Sequence, residues 1–97
     1  MQTLPSTFYS HSFNFTLIKR TGDVALFSKQ KRGHKLTSYE VVIVQKRPER
    51  TFPNGRVSTA HEAMPSDEAW GTYGWTPYDL AAAHRRFDKE VRARHKD

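Results

Sequence analysis

Thr76-Pro77-Tyr78-Asp79-Leu80-Ala81-Ala82-Ala83-His84-Arg85-Arg86-Phe87-Asp88-Lys89-Glu90-Val91-Arg92 is the one stretch of this chain that reads as a helix. Thr76 suits the N-cap, and Pro77 suits the first helical position, where its missing N–H is no loss. Asp79 falls three residues after that cap. On a helical wheel Leu80, His84, Phe87 and Val91 share one side, and Arg85, Lys89, Arg92 and Lys96 form the opposite stripe. Arg86–Glu90 and Asp88–Arg92 are i,i+4 pairs that support the exposed surface. A helix with one apolar stripe needs a surface to dock on, and the segments before it read as strands.

Phe13, Phe15 and Leu17 alternate with Ser12, Asn14 and Thr16, the period of a half-buried strand. Thr21-Gly22-Asp23 is a turn signal, so Val24-Ala25-Leu26-Phe27 is expected to return as a hairpin. Tyr39 to Lys46 is the strongest strand, apolar on both faces and expected to be central. Pro48 ends it, because proline cannot donate to the ladder. Phe52-Pro53-Asn54-Gly55 is a turn, and it stays open whether Arg50–Phe52 pairs with Arg56–Ser58 around it. Ala60 to Ala69 reads as loop, with a helical turn opened by Ser66. Trp70 to Trp75 reads as a last strand, with Tyr73 and Trp75 on one face and Trp70 on the other.

The expected architecture is α+β: an antiparallel sheet of four to five strands covered on one face by a single C-terminal helix. Residues 1–11 are polar with two scattered aromatics, Phe8 and Tyr9, and read as a flexible N-terminal arm. Residues 12–97 form a single domain, since 97 residues leave no room for a second core. Hydrophobic residues make up 36% of the chain, which is lean, but 12% aromatics supply large rings for a small core. No cysteine is present, so disulfides and thiolate metal sites are excluded and a reducing compartment fits. The longest aliphatic run, Val41-Val42-Ile43-Val44, is far short of a membrane span. Met1-Gln2-Thr3-Leu4-Pro5-Ser6 lacks the pattern of a signal peptide, so the cytoplasm is the expected location.

Sixteen Lys and Arg against ten Asp and Glu give a net charge of +6, which favours acidic partners. The charge is uneven. Lys29, Lys31, Arg32 and Lys35 surround Gly33 in what reads as a basic loop able to mould to a phosphate backbone. Lys46, Arg47, Arg50 and Arg56 follow at the far end of the central strand, whereas Val57 to His84 holds no Lys or Arg. Arginine suits bidentate phosphate contacts and lysine acts as a point charge. Tyr39, Phe52, Trp70 and Tyr73 could stack on unpaired bases, although in so small a domain most rings must be core.

Other chemistry finds little support. His11, His34, His61, His84 and His95 have no partners at metal-ligand spacing, and His61-Glu62-Ala63-Met64-Pro65 runs into proline before a second histidine. Gly71 and Gly74 sit among aromatics with no following lysine, unlike a phosphate-binding loop. Ser66-Asp67-Glu68 is a helix-start signature rather than an acid–base pair. No catalytic residue, metal ligand or cofactor is expected.

Two resemblances follow from short motifs. Tyr39-Glu40-Val41-Val42, then Trp70-Gly71, then a helix with Ala83 and Phe87 resembles the layout of a WGR domain over residues 24–92. That resemblance implies a small sheet with one helix and contacts to DNA ends or neighbouring domains. Thr72 stands where the family has the arginine after Trp-Gly. Separately, Arg50-Thr51-Phe52-Pro53-Asn54-Gly55 and the run from Pro65 to Thr76 resemble small accessory proteins of tailed phages. This resemblance implies action in a bacterial cytoplasm. Together these readings predict a non-enzymatic phage-type accessory protein that binds nucleic acid or a nucleoprotein complex through a basic face, its partner being nucleic acid or a nucleic-acid-handling host protein complex. The alternative is a phage inhibitor of a host protein, such as a CRISPR or other defence component. Oligomeric state is open.

Overall fold

The computed structural model describes residues 2–94. Eleven elements follow in order: β1 (Thr7–Ser10), β2 (Phe13–Thr21), β3 (Val24–Lys31), β4 (Thr37–Ile43), β5 (Gln45–Arg47), β6 (Arg50–Thr51), β7 (Val57–Ser58), β8 (His61–Ala63), a single 3-10 turn (Asp67–Ala69), β9 (Gly74–Trp75) and α1 (Leu80–Arg94). The main sheet has the order β1-β2-β3-β4-β9, every pair antiparallel. α1 packs across β3 and β4. The α+β architecture expected from the sequence is the one observed. β3 rather than β4 holds the middle of the sheet.

Strand alternation divides the core in two. Val24, Leu26, Val41 and Ile43 face the helix and pack on Ala83 and Phe87, with Tyr39, Trp75 and Val91 at the margin. Ala25, Phe27, Val42 and Val44 face the other way with Phe15, and Leu4, Phe8, Phe13, Leu17, Met64 and Trp70 cover them. Both faces are thus occupied, the second by rings and loop residues rather than by a second helix. Trp70 and Trp75 fall on opposite faces as their spacing predicts, although only Gly74 and Trp75 are in strand conformation.

A bulge in β2 sets what each face receives. Leu17 pairs with Phe27, but Lys19 pairs with Leu26, so Ile18 is an extra residue and the alternation shifts. Lys19 is thereby turned to the helix face, where its Nζ lies 4.5 Å from the Phe87 ring centroid and 3.8 Å from Asp88. Arg20 is turned to the other face, toward β8.

Four local expectations are corrected. The N-terminal segment is not a loose arm: Thr7–Ser10 pairs with Phe13 to Thr16 of β2, and the Phe8 ring stacks on Phe15 at 4.8 Å. The turn between these strands is His11-Ser12, with φ of 52° and 73°. The helix begins three residues later than expected, because Asp79 is the cap: its Oδ1 accepts from the Ala82 N–H at 2.8 Å. Thr76 instead accepts a hydrogen bond from the Trp70 indole at 3.0 Å. On the helix, Ala83, Phe87 and Glu90 are buried while Leu80 is exposed, so the docking stripe is rotated from the expected one. Arg86 pairs with Glu90 as predicted, whereas Asp88 meets Lys19 rather than Arg92. Lys96, expected on the outer stripe, lies outside the described residues.

β6 and β7 do pair, Arg50 with Ser58 and Thr51 with Val57, as a small hairpin bonded only to itself. The described residues span 46 × 44 × 22 Å with a radius of gyration of 14.7 Å. A compact chain of this length would give about 12.5 Å. The molecule is a flat slab with a projecting hairpin.

Candidate functional site

The eight basic residues singled out from the sequence separate into two groups at opposite ends of the β3–β4 ladder. That ladder runs from Val24–Ile43 to Gln30–Thr37. At about 3.4 Å per residue the ends lie roughly 20 Å apart.

At one end, Lys31, Arg32 and Lys35 are exposed in and beside the β3–β4 loop, with no ion-pair partner among the described residues. Gly33 makes the turn at φ +83°, a conformation that costs other residues energy. His34 N–H donates to the Lys31 carbonyl at 2.9 Å, and Gln30 Nε2 donates to the His34 carbonyl at 2.9 Å. The loop is therefore held, not slack. Lys29 belongs to β3 rather than to this loop. Its side chain turns inward beside Phe15, donates to Glu40 Oε1 at 2.6 Å and sits 4.5 Å over the Phe13 ring.

At the other end, Arg47 on β5 and Arg50 and Arg56 on the hairpin are exposed and also lack ion pairs among the described residues. Lys46 lies 3.6 Å from Asp23. Arg50 holds its guanidinium 5.1 Å from the Phe52 ring, which is 40% exposed. The hairpin tip thus carries cations and an aromatic plane together.

Between the first basic end and the second face of the sheet lies a groove of about 340 Å³. Phe8, Phe13, Phe15, Met64 and Trp70 wall it, and Lys29 and Glu40 form its polar floor. Glu40 is 5% exposed, and Oε1 is the oxygen that Lys29 holds. No other side-chain or backbone donor among the described residues reaches Oε2, and no buried polar side-chain atom lacks a partner. Oε2 therefore opens into the groove. Trp70 is fixed from two sides: its indole N–H donates to Thr76, and its benzo ring occupies the space where a Cβ on Gly74 would stand, 2.6 Å away.

Of the rings considered for stacking, Trp70 lines the groove, Phe52 and Tyr73 are exposed, and Tyr39 packs on the helix-side core. Sequence reasoning misses the groove itself. The apolar alternation of Phe13 and Phe15 signals one wall, but Glu40 sits inside the run Tyr39 to Val44, where a lone acid gives no sign of its partner. The role of Glu62 is equally hidden. Its carboxylate accepts two 2.7 Å bonds from Arg20 and one from the Leu4 N–H at 3.0 Å. The Arg20 bonds first, and then the Leu4 N–H, pull its pKa down to about 2. Among the described residues no group of three His, Asp or Glu could hold a metal ion, and no helix is long and apolar enough to cross a membrane. Compared with known proteins, the chain matches no family model, no curated protein and no solved structure.

Proposed function

We propose that this chain is a non-enzymatic, phage-type accessory protein that binds nucleic acid through its two basic ends. One observation carries the reading. Lys31, Arg32, Lys35, Arg47, Arg50 and Arg56 are all exposed and have no acidic partner among the described residues. Uncompensated cations on so small a body have a standing attraction for phosphates, and binding releases the counterions held there. The ladder between the two ends is roughly 20 Å long, about six base-pair steps of a duplex at ~3.4 Å of axial rise each. Contacts at both ends would fix the orientation of a strand across the slab, while phosphates alone carry no sequence information. The resemblance to tailed-phage proteins supports action in a bacterial cytoplasm by occupancy, blocking or recruiting another factor.

The test is fluorescence anisotropy with single-stranded and duplex DNA and RNA over a range of salt. Affinity should fall steeply as salt rises, with a slope in log affinity of up to about 0.7–0.9 per phosphate contact. Absent binding at low salt, or affinity indifferent to salt, overturns the proposal. In that event the charges belong to a contact with a host protein, the reading under which the chain acts as an inhibitor.

A further inference from the structure

We propose that the groove between β1, β2 and the Trp70 segment receives one unpaired guanine of the bound nucleic acid. The inference rests on the nucleic-acid reading and adds to it a site and a base. Three features of the groove carry it.

The first is shape. A groove of about 340 Å³ is at the small end of ligand pockets, which run from roughly 300 to 1,000 Å³. Its walls are flat rings, and Trp70 is locked in place before any ligand arrives by Thr76 on one side and Gly74 on the other. A preorganised aromatic plane favours a planar ring as its occupant.

The second is hydrogen bonding. The floor offers a carboxylate with one oxygen open to the groove, next to an ammonium. Guanine alone among the bases presents two adjacent donors, N1–H and N2–H, beside an acceptor, O6. Glu40 would accept from the donors and Lys29 would donate to O6. Charge-assisted bonds of this kind are about twice as strong as neutral ones, and a buried carboxylate pays heavily for a ligand that leaves it unpaired.

The third is charge. Glu40 and Asp67 line the groove against Lys29, so a phosphate is not favoured inside it. Phosphates are favoured just outside. Lys31 stands directly across from Phe13 at the mouth, on the same face as Lys29, and Arg32 follows. A strand whose backbone runs over the loop could drop one base into the groove.

Guanosine, which has no phosphate, is the probe that separates this site from the basic ends. Binding is followed in high salt by quenching of tryptophan fluorescence and by the NMR signal of the Met64 methyl, with adenosine, cytidine and uridine alongside. Guanosine should shift the Met64 signal and bind roughly ten-fold or more tightly than the other three. Glu40→Gln should abolish that preference, because its amide turns a donor toward N1–H and N2–H. The wild-type measurement stands even where that variant fails to fold. No Met64 shift with guanosine overturns the site whatever the phosphate contacts do. Equal binding of all four nucleosides overturns the assignment to guanine.

Discussion

Arg20 holds Glu62 through two parallel hydrogen bonds of 2.7 Å across 42 residues of chain. The same carboxylate takes the Leu4 N–H, so three segments distant in sequence meet at one side chain. The β2 bulge makes this possible by turning Arg20 to the face on which β8 lies. Glu62 has a side chain only 8% exposed, and removing its charge leaves the half-buried Arg20 guanidinium with only Asp23, at 3.7 Å, as a counter-charge. Glu62→Gln should destabilise the fold by about 2–3 kcal/mol, read as a lower urea midpoint. An unchanged midpoint would show that the clasp contributes nothing.

The same carboxylate makes the fold acid-sensitive in a defined window. Its folded pKa, about 2, is below the value of 4.5 it has when unfolded, so the unfolded chain binds the proton first. The stabilisation is complete above about pH 5 and is lost as pH falls toward 2. Glu90 adds to the trend: burial works to raise its pKa, but hydrogen bonds from Arg94 and Arg86 outweigh that and leave it lowered. Melting curves from neutral pH to pH 2 should fall less steeply for Glu62→Gln than for the wild type. Parallel curves would rule out Glu62 as the titrating group.

Phe87 is 4% exposed, between Ala83 and the helix-side strands, with Lys19 over its ring. Phe87→Ala should cost about 3–5 kcal/mol, the usual range for an aromatic removed from a core. That is a large part of the stability of so small a domain, and thermal melting reads it directly. A melt within a degree of the wild type would mean that the helix docks without this ring.

What could be read from the sequence was local. The hairpin at Gly22, the turn at Asn54-Gly55 and the helix with Phe87 on its inner side each rest on residues within a few positions of one another. The misses have a common cause, which is a partner that the local pattern does not show. Thr76 is a good cap in isolation, but Trp70 takes its hydroxyl and Asp79 caps instead. Thr7–Ser10 has too little alternation to read as a strand, and becomes one because Phe8 finds Phe15. Lys29 resembles its neighbours Lys31 and Arg32 in every local respect. Only strand register shows that it faces Glu40, and so the cation least available to a phosphate could not be told from the others.

The β1–β2 turn carries strain that can be relieved. His11 and Ser12 both have positive φ, the signature of a type I′ hairpin, which Asn-Gly adopts far more readily. Replacing His11-Ser12 with Asn-Gly should raise stability by about 1–2 kcal/mol, since non-glycine residues in this region cost about 1–3 kcal/mol each. Glycine's added freedom in the unfolded chain offsets part of the gain. A lower melting midpoint would show that His11 or Ser12 makes a contact the fold depends on, such as the 2.8 Å bond between Ser10 Oγ and His11 Nδ1.

Lys29 and its three neighbours should behave as two different kinds of residue. Lys31, Arg32 and Lys35 are exposed, so replacing all three with Gln should leave the melt almost unchanged, within about 0.5 kcal/mol each. Their loss should weaken nucleic-acid binding and flatten its salt dependence by up to about 0.9 per duplex contact removed. Lys29→Gln should do the reverse. It leaves Glu40, 5% exposed, without its cation, and breaking a buried pair in this way costs about 3–5 kcal/mol. Access of water to Glu40 Oε2 from the groove keeps the expected loss near ~3 kcal/mol. The salt slope should stay close to that of the parent, because Lys29 releases no counterion when phosphate binds. A stable Lys29→Gln with a flattened slope would put Lys29 among the phosphate contacts and take it out of the groove floor.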